Sequence, residues 1–100
     1  MLSERREMNF AVVVWMKKTV AFNALRAELV TTADAEPEES TEYEGMVDFH
    51  WRFDSHAKAK RLANSLREIA RAPEIIVLRL SNYDNIGASV TFKDTRHARH

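Results

Sequence analysis

One hundred residues is the length of a single domain, and 45% apolar against 30% charged residues is the balance of a globular chain. Fifteen Lys and Arg stand against fifteen Asp and Glu, and a net charge of zero argues against wholesale nucleic-acid binding. The absence of cysteine excludes a disulfide framework, a thiol nucleophile and a cysteine zinc site. The two glycines, Gly45 and Gly87, lie too far apart to form a glycine-rich phosphate loop.

Taken in chain order, Arg5 and Arg6 precede the apolar run FAVVVWM (10–16), which Lys17 and Lys18 stop. The run is far short of the roughly 20 residues a membrane helix needs, and no small-residue cleavage site follows it. The expectation is a cytoplasmic protein with no membrane span. NFAVVVWMK (9–17) is β-branched and apolar on both faces, which predicts a central strand. TVAFNALRAELVTT (19–32) predicts a helix capped by Thr19 that buries Phe22, Leu25 and Leu29. A rival reading makes residues 4–18 a helix behind a Ser3 cap and residues 24–32 a strand paired with 43–53. The strong helix formers Ala, Leu, Arg and Glu favour the first.

ADAEPEESTE (33–42) is expected to be an acidic, flexible, solvated loop. In MVDFHWRF (46–53), Val47, Phe49, Trp51 and Phe53 fall on one face and Asp48, His50 and Arg52 on the other, the period of a strand with one buried side. Asp54 and Ser55 stand where a helix N-cap belongs. HAKAKRLANSLREIARA (56–72) then predicts a helix whose stripe is Ala59, Leu62, Ala63, Leu66, Ile69 and Ala70, closed by Pro73. In EIIVLRLSNY (74–83), Ile76, Leu78 and Leu80 are expected inward, and Ile75, Val77, Arg79 and Ser81 outward. YDNIG (83–87) reads as a turn, and ASVTFK (88–93) as a strand with Val90 and Phe92 inward. Residues 95–100 read as a frayed basic tail.

The fold class expected is therefore α+β: one domain over residues 1–100, with two helices on one face of a four-stranded mixed sheet in the order β-α-β-α-β-β. That order resembles the ferredoxin-like group of α/β plaits without matching it strictly. The resemblance implies a sandwich and says little about function, because such folds host sensors, RNA binders and small enzymes alike.

Candidate sites follow from residue type and spacing. Asp48, His50 and Arg52 form a row with neighbours about 6.6–6.8 Å apart along the strand, continued by Asp54. An Asp–His pair suits acid–base work, because the carboxylate fixes the imidazole tautomer. An ordinary solvated strand face accounts for the same residues. His50 and His56 are not spaced as zinc ligands, and His97 and His100 stand on the tail, so no metal and no cofactor is expected. Lys58, Arg61 and Arg71 offer a partner face on the helix, with Lys60 and Arg67 near by. No surface aromatic is evident beside them to stack bases, so nucleic acid is the least favoured partner. Trp15 and Trp51 are expected in the core. The second side of the sheet, carrying Val13 or Val14, Ile75 and Val77, is an apolar patch that needs a cover, which points to a homodimer through the sheet. The expected function is a non-enzymatic regulatory or interaction module, with an unknown small ligand or protein as partner. The alternatives are a small enzyme or ligand-binding protein using Asp48, His50 and Arg52, and weak nucleic-acid binding by the 56–72 helix.

Overall fold

The computed structural model describes residues 8–82 and, for the backbone, residues 89–94. Within them run β1 (Phe10–Lys17), α1 (Phe22–Ala33), β2 (Glu38–Glu39), β3 (Met46–Phe53), α2 (His56–Leu66), a 3-10 turn (Ile69–Arg71), β4 (Ile75–Asn82) and β5 (Ser89–Asp94). The first reading of the N-terminal half is the observed one. β1 is apolar on both faces because it is the middle strand, paired with β3 on one side and β4 on the other.

The sheet order is β2-β3-β1-β4-β5, and every pairing is antiparallel. The expected mixed sheet is thus corrected. β3 and β4 do run parallel to each other, but the connection through α2 steps over β1 and leaves that strand between them. A right-twisted sheet accommodates such a crossover when the helix packs back on one face. The two residues of β2 add an edge strand within a segment expected to be a loop, since Glu38 pairs with His50 and Glu39 with Phe49.

One core fills the space between the sheet and both helices. From the strands it takes Val12, Val14, Met16, Val47, Phe49, Trp51, Ile75, Leu78 and Leu80, and from α2 it takes Ala59, Leu62, Ala63 and Leu66. α1 contributes fewer: Phe22 and Leu29 are buried, and Leu25 and Ala33 only partly. The alternation read in β3 holds, with Val47, Phe49 and Trp51 buried and Phe53 half-buried at the end of the strand.

Four local expectations are corrected. Thr19 does not cap α1. Its hydroxyl accepts from Ala21 N–H at 3.2 Å and its carbonyl from Phe22 N–H at 3.0 Å, so it closes the turn before the helix, and the N-cap position is Ala21. At the other end Asp34 takes a left-handed conformation (φ 57°) and returns its N–H to Val30 and Thr31, which stops the helix. The predicted helix 56–72 is α-helical only to Leu66. Ala72 is extended ahead of Pro73, as proline requires of its predecessor, and the chain tightens into a 3-10 turn that still places Ala70 in the core. Third, Ile75 is buried and Ile76 is not. Trp15 pairs with Val77 and Met16 with Ile75, so Ile76 is the extra residue of a β-bulge, and the period-2 rule slips by one residue there. Fourth, Trp15 is not core: it stands 38% exposed on the side of the sheet away from the helices. Trp51 is core, and its indole N–H donates to the Ala35 carbonyl at 3.0 Å. The turn 83–87, the tail 95–100 with His97 and His100, and the side chains of Val90 and Phe92 lie outside the described residues.

Candidate functional site: the open face of the sheet

Strand register sets out the face that the helices leave uncovered as three rows. Arg52, Ala11 and Ser81 lie side by side on β3, β1 and β4. His50, Val13 and Arg79 form the next row, and Asp48, Trp15 and Val77 the third. Ala11 and Val13 thus make the middle of the first two rows, beside Arg52, His50 and Arg79, and Trp15 makes the middle of the third. Ala11 and Val13 are fully buried even though neither belongs to the helix-side core.

The polar groups are paired within the face. Glu38, the β2 residue paired with His50, receives the Arg52 Nε–H on both carboxylate oxygens at 3.1 Å. Its neighbour Glu39 points to the helix side and takes Arg26 Nε at 2.8 Å, while Arg26 Nη2 reaches Glu36 at 2.9 Å. The hydrogen bonds that Arg26 donates to Glu39 and then to Glu36 raise its pKa further. The acidic segment therefore sends alternate carboxylates to opposite sides of the sheet edge. Arg79 Nε–H donates to Ser81 Oγ at 3.3 Å, and its guanidinium lies 5.7 Å from the Trp15 ring centroid, within cation–π range.

Asp48 and His50 meet directly, with Oδ2 3.1 Å from Nε2. Burial alone would raise the Asp48 pKa, but the Ser40 hydroxyl and His50 outweigh it and hold the carboxyl below its ordinary value. An ionised Asp48 can only accept in this contact, so His50 Nε2 is the donor. Asp48 Oδ1 is enclosed and has no partner in hydrogen-bonding geometry. The backbone is pinned at the same place: Ser40 N–H donates to the Asp48 carbonyl at 3.0 Å and Asp48 N–H to Ser40 Oγ at 3.1 Å.

The remaining sequence candidates separate. Asp54 does not extend the Asp48–His50–Arg52 row; it pairs with Lys58 at 3.2 Å, beside Ser55, which caps α2 by accepting from Lys58 N–H at 3.1 Å. His56 sets its ring 5.7 Å from Phe10, edge to face. Arg71 pairs with Glu68 at 3.3 Å, and Arg61 is exposed on α2. Among the described residues no group of three or more metal-ligating side chains gathers.

A hollow of about 440 Å³ opens at the Asp48 end of the face, lined by Trp15, Ser40, Tyr43, Glu44, Met46 and Asp48, among others. The hairpin that closes it turns at Glu44 (φ 52°) and Gly45 (φ 76°), the two left-handed positions of a type I′ turn. Gly45 carbonyl accepts from Lys18 N–H at 2.8 Å and ties the hairpin to the end of β1. Tyr43, 74% exposed, was not legible as a site residue, because nothing in EYEGM shows that the turn brings it over Trp15's side of the sheet. No protein-family model, no curated protein and no solved structure matches the chain.

Proposed function

We propose that this chain is a non-enzymatic interaction module whose working surface is the open face of the sheet, and that a second copy of the chain is the partner it meets there. Trp15 carries this reading: a large aromatic side chain 38% exposed on the middle strand, where an interface would anchor. The face also holds both signs of charge, Arg52 and Arg79 with Glu38 and Asp48. Two copies about a twofold axis can then set unlike charges opposite each other. The apolar support is narrower than the sequence suggested. Val14 and Ile75 belong to the core and Val13 is closed over, which leaves Trp15 with half-buried Val77. The association is accordingly of the weak, transient class. Sedimentation equilibrium over a range of concentrations tests it: the wild-type mass rises towards two chains, and Trp15→Ala stays at one. A wild-type mass of one chain at every concentration overturns the dimer.

A second reading, a small enzyme or ligand-binding protein, is favoured by the 3.1 Å contact of Asp48 with His50. It predicts that His50→Ala removes binding or activity while the thermal unfolding curve stays in place. The nucleic-acid reading draws least support, because Lys58 and Arg71 already meet Asp54 and Glu68. A cytoplasmic location and the plait-like likeness of the fold belong to the same proposal. The split crossover of β3 and β4 around β1 supports the likeness, and no helix among the described residues is long and apolar enough to cross a membrane.

A further inference from the structure

We infer that the hollow between Trp15 and Tyr43 is a binding site for a small organic cation carrying an alkylated ammonium group. The inference rests on the reading of the open face as a binding surface, and it does not need the dimer.

Three features of the hollow converge on that class of ligand. Its walls present two aromatic side chains that a folded chain ordinarily covers, Trp15 at 38% and Tyr43 at 74% exposure, together with the Met46 thioether. Aromatic faces carry the negative end of a quadrupole and attract cations, Trp most strongly. Among the described residues, the charged ones that line the hollow are both acids, Glu44 and Asp48. Asp48 is kept ionised by Ser40 and His50. Finally, the Trp15 ring already holds one cation. Arg79 approaches it from the β4 side, whereas the hollow is built from β1, β3 and the hairpin before β3.

The same walls disfavour a metal ion. Calcium takes six to eight oxygen ligands, and magnesium demands an octahedral shell of oxygens. Here two acidic residues share the lining with Trp15, Tyr43, Met46 and Val47, which suits a cation whose charge is spread over methyl groups and whose hydration is weak. A volume of about 440 Å³ lies in the range of small-molecule sites.

The test titrates choline into the full chain, followed by tryptophan fluorescence and calorimetry, beside 3,3-dimethylbutan-1-ol, its neutral isostere. The expected result is saturable choline binding, with the isostere at least about fivefold weaker. Tyr43→Ala is the discriminating variant. Tyr43 is exposed, and its hairpin hydrogen bonds with Met46 run backbone to backbone, so the turn survives the change. It is expected to weaken choline by at least about fivefold, and Asp48→Asn to weaken it as well. Choline that does not saturate, an isostere that binds equally well, or a Tyr43→Ala protein with wild-type affinity would each overturn the site. The same samples are sedimented. Choline binding by a protein that stays a monomer supports the site while removing the dimer, and a dimer that ignores choline does the reverse.

Discussion

β1 has the same backbone on both of its sides, yet the two sides are packed by different physics. Towards the helices, Val12, Val14 and Met16 meet Phe49, Leu66, Ile75 and Leu78, large apolar groups closed off from water. Away from them, Ala11 and Val13 are just as inaccessible, but they lie between strands that carry Arg52, His50 and Arg79. The first side gains from removing apolar area from water and from close packing. On the second side the neighbours are long polar chains, whose heads pair with Glu38, Asp48 and Ser81 and whose stems are apolar. That second side is where the exposed Trp15 and the hollow are found.

The contrast can be broken by substitution. Phe49→Ala is expected to cost about 3–5 kcal/mol, read from chemical denaturation. Val13→Ala is expected to cost about 1–2 kcal/mol, the transfer term of the groups removed, because far less volume is vacated than at Phe49. A loss at Val13 as large as that at Phe49 would show a second rigid core. The pH dependence sharpens the contrast further. The native pKa of Asp48 lies below its unfolded value, so the stability this group contributes is present above the ordinary carboxylate range and is lost as pH falls through it. Asp48→Asn should therefore flatten the decline of stability between about pH 5 and pH 2, measured by thermal unfolding at stepped pH. An unchanged slope would mean that the contacts of Asp48 with Ser40 and His50 are not formed in solution. The smallest effect is expected at Arg52, whose contact with Glu38 is exposed: Arg52→Ala should cost less than about 1 kcal/mol, and less again at high salt.

How much of this was legible varies along the chain. β3 was plain because strict alternation over eight residues has one reading, and the Ser55 cap followed from its place between a strand and an amphipathic stripe. The first half was ambiguous because LRAELVTT satisfies both periods, and α1 is nearly as ambiguous in space, burying only Phe22 and Leu29. Of the candidate site, Asp48, His50 and Arg52 were assigned to one face, but their actual partners were not. Glu38 was hidden in an acidic run, and Arg79 belongs to a strand that no local pattern pairs with β1.

The alternation of apolar residues, the helix cap and the pre-proline stop come from the local chemistry of the chain, acting over a few residues, and the sequence by itself determined them. The bulge at Ile76 and the exposure of Trp15 depend on which strands neighbour β1 and in which register. So does the meeting of Trp15, Tyr43 and Asp48 around one hollow. Only the tertiary structure decided these, because long-range pairing follows from the packing of the whole core, which residue spacing along the chain does not encode.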